Sequence, residues 1–267
     1  MHPAPQPAVS AFDEVAGAYD SQFTATAIGA MMRRAVWRRC AARFPPGSRV
    51  LEMNCGTGED ALWLARRGVN VVATDISPAM LQVAESKFAA EPSPGLARFR
   101  RLAWEELETF DEGPFDGPFD GMLSNFGGLN CVSDLRPPAR ALAAKLRPGA
   151  VAVLCIMGPL VPWEWVWFFA HGKPAAALRR LKRAGAEWSG IAVRYPSIAQ
   201  TRRAFAPEFR MLRVSAVGAL LPPPYTENRA GGFPRLIASL DRAERRLETV
   251  WPLPQLADHY LMELERV

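Results

Sequence analysis

The sequence predicts an α/β fold, a mostly parallel sheet held between two layers of helices. Three observations carry this. From Arg49 onward, short apolar runs alternate with stretches of helical period, clusters rich in Gly and Pro punctuate them, and the strand cores contain no proline. The composition agrees, since 49% of the 267 residues are hydrophobic and 22% charged. Such a chain can bury a sizeable core, which excludes a disordered segment or a small disulfide scaffold.

Residues 10–44 carry helical periodicity, with Met31, Met32, Val36 and Trp37 on one side and arginines on the other, and Pro45-Pro46-Gly47 stops the helix. Arg49–Met53 reads as a strand, Glu59–Arg67 as a helix, Asn70–Thr74 as a strand and Pro78–Ala89 as a helix. A weaker strand at Ala97–Leu102 precedes a helical turn at Trp104–Phe110. Phe119–Ser124 is the fourth strand, Pro138–Leu146 a helix, and Ala150–Met157 the fifth strand. Residues 158–200 break the rhythm with an aromatic cluster at Trp163–Phe169, a basic helix around Ala175–Ala184 and a strand-like Ile191–Tyr195. A helix at Ile198–Phe205 and a strand at Phe209–Val217 restore it. Leu220–Tyr225, with three consecutive prolines, suits neither a helix nor an inner strand. A helix at Pro234–Thr249 and a strand at Asp258–Glu265 close the chain.

Several function classes recede on composition. The 32 Lys+Arg against 27 Asp+Glu leave a net charge of +5, and the arginines fall in pairs on predicted helices, which reads as solvated faces rather than a nucleic-acid footprint. Cys40, Cys55, Cys131 and Cys155 are scattered without metal-ligand spacing, so reduced thiols in a cytoplasmic protein are expected and no metal site. The Pro-rich first residues have no apolar core and read as neither signal peptide nor anchor. Ala150–Ala170 is apolar but interrupted by Gly158, Pro159, Pro162 and Glu164, so no membrane span is expected.

The chemistry concentrates in Arg49–Gly68. An apolar strand ends in Glu52, turns tightly through Asn54, Gly56 and Gly58, and enters a helix, while Asp75 ends the next strand. Glycines let backbone approach a ligand closely, and an acid at a strand end can accept hydrogen bonds from both hydroxyls of a ribose. Two ligand classes share this device. Gly56-x-Gly58-x-x-Ala61 formally satisfies the dinucleotide fingerprint, which would make the protein an NAD(P)-dependent oxidoreductase. Glu59 and Asp60, however, occupy the first helical turn where a pyrophosphate would sit. Each like charge at ~4 Å costs such a ligand ~1 kcal/mol in water and more at lower dielectric. A cationic nucleoside without phosphate, such as S-adenosylmethionine, is favoured.

Here the chain resembles the class I S-adenosylmethionine-dependent methyltransferases, and most of all their small-molecule branch, the ubiquinone- and menaquinone-biosynthesis-like enzymes. Val50-Leu51-Glu52-Met53-Asn54-Cys55-Gly56-Thr57-Gly58 follows the family's first motif, with Asn54 in place of its first glycine. Asn is the side chain that best tolerates left-handed backbone there. The resemblance implies cofactor contacts from Asp75 and Ile76, from Ala103 and Trp104 beside the adenine, and from Asn125 and Phe126 near the methyl group. It also implies a cover over the methionine end from Tyr19, in a Phe12…Tyr19-Asp20 element. The implied fold is a Rossmann-like three-layer sandwich with a mostly parallel seven-stranded sheet and a reversed last strand.

Four parts are expected: an N-terminal helical lid (1–44), the S-adenosylmethionine-binding core (45–157), a substrate-covering insertion (158–200) and the C-terminal part of the sheet with a lid loop and helix (201–267). Trp163, Trp167, Phe168 and Tyr225 come from segments expected to overhang the site and suggest a small, partly apolar acceptor. His171, Tyr195 and His259 are the candidates for a general base. The expected reaction is in-line methyl transfer by a monomer or homodimer. A non-catalytic S-adenosylmethionine-binding protein is the other alternative.

Overall fold

The computed structural model describes residues 6–91, 95–111, 117–182, 184–224 and 233–267, with side chains from Val9 onward. The first strands are β1 (Arg49–Met53), β2 (Asn70–Asp75), β3 (Leu96–Arg101), β4 (Phe119–Ser124) and β5 (Leu146–Met157). Two short strands, β6 (Ala186–Trp188) and β7 (Ile191–Val193), form a hairpin, and β8 (Phe209–Val217) and β9 (His259–Arg266) complete the set. The helices are α1 (Gln6–Tyr19), α2 (Ala27–Arg43), α3 (Glu59–Arg66), α4 (Pro78–Ala89), α5 (Arg136–Lys145), α6 (Pro162–Ala170), α7 (Pro174–Ala177), α8 (Ile198–Phe205) and α9 (Pro234–Leu247).

Seven strands form one sheet in the order β3-β2-β1-β4-β5-β9-β8. β1 pairs in parallel with β2 and β4, and β9 runs antiparallel to both β5 and β8, so the last strand is the reversed one, as expected. Strand order reverses direction at β1 and β4, and a crevice opens outside their carboxyl ends. The side-chain period of two sends alternate residues into two cores. Leu51, Met53, Met122 and Leu154 pack with α5 and α8 through Leu142 and Phe205. Val50, Leu123 and Val153 pack on the other face with Met32 and Val36 of α2 and with Leu64 and Ala84 of α3 and α4.

Local chemistry sets the helix starts that matter for the site. Gly58 precedes α3 in the left-handed region at φ 76°. A Cβ at Gly58 would meet that of Ala84 at 2.6 Å, so the glycine also lets α4 close against the loop. Ser77 caps α4, its Oγ accepting from the Met80 amide at 3.1 Å, and Pro78 follows at the first helical position.

Four expectations need correction. The helix read over 10–44 is two helices joined by a π turn at Asp20–Thr24, because Asp20 faces the glycine loop and accepts from Thr57 Oγ1 at 2.6 Å. β5 starts at Leu146, which pairs with Phe119 before the register shifts. The basic helix expected at 175–184 shrinks to α7 and one 3₁₀ turn (Arg179–Leu181), since Arg180 turns inward to an ion cluster. The strand-like 191–195 is β7, paired with a strand absent from the sequence reading; Ser189 and Gly190 join them at φ 46° and 79°, both positive as a two-residue hairpin turn requires.

Candidate active site

A cavity of about 460 Å³ lies at the carboxyl ends of β1, β2 and β4, within the range of small-molecule sites. Its inner end is built by the glycine loop. Asn54 adopts φ 53°, as expected of the residue replacing a glycine, and its amide ties two strand ends together. Its Nδ2 donates to the Asn125 carbonyl at 2.7 Å and its Oδ1 accepts from Ser124 Oγ at 2.6 Å. Gly56, at φ 54°, has nothing within 4 Å of where a Cβ would stand, so the backbone there faces open space. Asp75 accepts from the Gly56 amide at 2.8 Å and from the Ser77 amide at 2.9 Å, which aims the carboxylate from the end of β2. Burial outweighs those amides and pushes its carboxyl above the usual range.

Of the residues expected to hold a cofactor, Tyr19, Asn54, Gly56, Asp75, Ile76, Ala103, Trp104, Asn125 and Phe126 line this one cavity. Glu52 and Gly58 do not. Glu52 lies beneath it, 1% exposed, with Oε2 unpartnered, and burial drives its carboxyl well above the ordinary value. Gly58 serves the packing of α4 instead. The indole Nε1 of Trp104 and Arg33 Nε are likewise buried without a partner. Unsatisfied buried polar atoms clustered around a cavity are what a missing polar ligand would leave.

The sequence reading missed Arg33. Its pairing with Arg34 reads as a solvated face, yet it is 5% exposed and reaches Asp60 Oδ2 at 2.5 Å, with its guanidinium 5.0 Å from the Phe126 ring centre. A signal was available, since position 33 falls on the same helical stripe as the buried Gly29, Val36 and Cys40. Asp60 also accepts from Trp37 Nε1 at 2.6 Å and Asn125 Nδ2 at 2.9 Å. Its charge is therefore compensated by Arg33, a correction to the picture of a bare acidic collar. The carboxylate nonetheless stays fixed in the first turn of α3. The cavity lining holds five carboxylates (Glu59, Asp60, Asp75, Glu105, Glu187) against two guanidiniums (Arg33, Arg179).

The outer end is walled by the N-terminal helix and the hairpin. Phe12 of α1 meets Trp188 of β6 with ring centres 5.4 Å apart, and Met157, Val193 and Tyr195 add to the wall. The aromatic cluster expected there is elsewhere. Trp163, Trp167 and Phe168 sit on α6 outside the lining, because the residue that α6 turns inward is Glu164, which accepts from Arg179 at 2.6 Å and Arg180 at 2.8 Å. Tyr225 lies outside the described residues. Among the candidate bases, Tyr195 lines the cavity, His171 is exposed, and His259 is buried behind Phe126, ring centres 5.3 Å apart. No cluster of three His, Cys, Asp or Glu with metal-binding geometry occurs among the described residues.

A family profile described as a methyltransferase domain matches residues 50–149. A 2-phytyl-1,4-naphtoquinone methyltransferase from Synechococcus elongatus is 32% identical over 187 residues, covering 65% of this chain and 76% of that one. A demethylmenaquinone methyltransferase from Clavibacter sepedonicus is 31% identical over 147 residues, 54% of this chain and 55% of that one. The chain thus spans about half the length of several of the curated relatives it matches. An S-adenosylmethionine-dependent methyltransferase from Mesorhizobium loti shares the fold at TM-score 0.55, with 18% identity over 89% of this chain and 99% of its own. Fold, glycine loop and relatives agree: the chain belongs to the class I S-adenosylmethionine-dependent methyltransferases. Within that family it is similar to the small-molecule branch that includes the quinone methyltransferases.

Proposed function

We propose that the protein transfers a methyl group from S-adenosylmethionine to a small, partly apolar acceptor by in-line displacement. One observation carries the reading: Asp75 is aimed by the Gly56 amide into a cavity whose helix N-terminus is already occupied by the Asp60 carboxylate. A ribose finds its acceptor, while a pyrophosphate meets an anion where it needs free amides. Asp75 would hold the ribose hydroxyls, Ile76 and Trp104 would flank the adenine, and the Ala103 and Trp104 amides would face its ring nitrogens. Arg33, Asn54 and Tyr19 would surround the amino-acid end, and Asn125 and Phe126 the methyl group. When bound, the sulfonium supplies the activation, so the chain's task is to align two reactants and exclude water. The names of the quinone-modifying relatives and the Phe12, Trp188, Met157 and Val193 wall support an apolar acceptor. Tyr195 is the candidate base that reaches the cavity. Four free thiols fit a cytoplasmic setting, and no described helix is long and apolar enough to cross a membrane.

Calorimetry with S-adenosylmethionine, S-adenosylhomocysteine, NADP and NAD tests the reading. The two adenosyl ligands should bind and the dinucleotides should not. Asp75→Ala should weaken adenosyl binding by at least tenfold, about 1.4 kcal/mol or more, through loss of charge-assisted hydrogen bonds. Binding of a nicotinamide dinucleotide with no adenosyl ligand bound would overturn it.

A further inference from the structure

We propose that the outward face of α6 seats the molecule on an anionic lipid bilayer surface. The helix is inverted. Its sequence, PWEWVWFFA, holds five large aromatics and a single charge, yet its buried residue is Glu164, at 2% exposure. At about 100° per residue, Val166 and Phe169 fall on the side opposite Glu164 and Trp163 on the flank between, and Trp163, Val166 and Phe169 are 38%, 64% and 52% exposed. Leu178 and Leu181, just beyond α7, are exposed by 44% and 48%. A helix packed only for the core would turn this face inward. Here the inward side is taken by ion pairs, since Glu164 accepts from both Arg179 and Arg180, and Arg180 also reaches Asp258 at 2.5 Å.

The charge around this face selects its occupant. From Trp165 to Ala186 the sequence has no acidic residue, while His171, Lys173 and Lys182 are exposed within it. An apolar stripe with tryptophan, followed along the chain by exposed long cationic side chains, matches the interfacial zone of an anionic membrane. Apolar side chains are also exposed around α9, such as Leu236 at 56%, where Glu244 and Glu248 are buried and Asp241 pairs with Arg245. The inward side of α6, not the exposed one, leads to the cavity. Arg179, bound to Glu164, lines it, and so does Trp188, which is 41% exposed. The docking does not depend on the methyl-transfer reading.

Co-sedimentation of the full chain with vesicles tests the docking. It should pellet with vesicles of phosphatidylglycerol and phosphatidylcholine in equal parts and stay in solution with phosphatidylcholine alone. W163S/V166S/F169S should reduce binding at least tenfold, K173E/K182E should reduce it by about tenfold or more, and L236S on α9 should leave it unchanged. Should the triple variant misfold, the charge-reversal pair decides. No pelleting by the wild type would overturn the proposal, as would equal pelleting by the K173E/K182E variant or self-association through this face without vesicle binding. Calorimetry with S-adenosylmethionine on the same samples separates the readings, because loss of cofactor binding would sink the methyl-transfer function while leaving docking intact.

Discussion

Asn54 shows how one substitution in a motif can be absorbed. It keeps the left-handed backbone that a glycine would supply and uses its side chain to tie the ends of β1 and β4 together. Glu52 shows the opposite, a residue held at a cost. It is buried with an unpartnered oxygen, and burial raises its carboxyl well above the ordinary value. The sign follows: an acid with a raised folded value stabilises the fold fully below its ordinary value of about 4.3 and loses that contribution as pH rises through the folded value. Glu52→Gln should therefore leave the melting temperature nearly unchanged at pH 4 and raise it at pH 8 in ligand-free protein. Thermal unfolding at the two pH values checks this. A lower melting temperature at pH 8 would mean that the charge is compensated in a way its surroundings do not reveal.

Among elements, the contact of the glycine loop with α4 is a tight constraint on the site. Gly58→Ala would place a methyl 2.6 Å from the Ala84 Cβ and 3.1 Å from its Cα, at a positive φ. Left-handed strain and overpacking together should cost about 2–4 kcal/mol. Because the loop must move to relieve the clash, adenosyl-ligand affinity should fall along with stability, and denaturant unfolding paired with calorimetry reads both. The covering elements are held by polar caps rather than by apolar packing alone. Asp13 of α1 accepts from the Ala79 amide at 3.1 Å at the start of α4, and Lys87 of α4 pairs with Asp20 at 2.5 Å. The N-terminal segment is thereby registered on the Asp75 end of the cavity.

For the whole molecule, the cluster Glu164–Arg180–Asp258 joins α6 to the start of the last strand. Removing one partner from a buried ion pair leaves an uncompensated charge, so Glu164→Ala should destabilise by about 3–5 kcal/mol. The same cluster predicts acid sensitivity. Burial pushes the Asp258 carboxyl up, but Arg180 and His259 outweigh it and hold the group well below the usual range. Glu263 is buried too and is held low by Arg39 and Arg43. Carboxyls depressed in the folded state contribute stability above their ordinary values of about 3.9–4.3 and lose it as pH falls through the depressed ones. Unfolding midpoints should therefore drop below about pH 4, and the drop should be smaller in Asp258→Asn.

Strand–helix alternation, the glycine loop and the acid at the end of the second strand were legible in sequence because they are local. Each depends on period, turn chemistry or a spacing within one β-α-β unit, and the seven-stranded sheet and most of the cavity lining follow from them. Tertiary structure alone decided where Trp163 and Glu164 face, and it supplied the partner that turns Arg33 inward along a helical stripe already legible in the sequence. A paired arginine looks solvated and an aromatic run looks like core until partners distant in sequence arrive. Asp60 draws Arg33 inward, and Arg179 and Arg180 draw Glu164 inward, which turns the aromatic stripe of α6 to the outside. Hydrophobic period predicts which side of a helix avoids water only when no buried ion pair claims that side first.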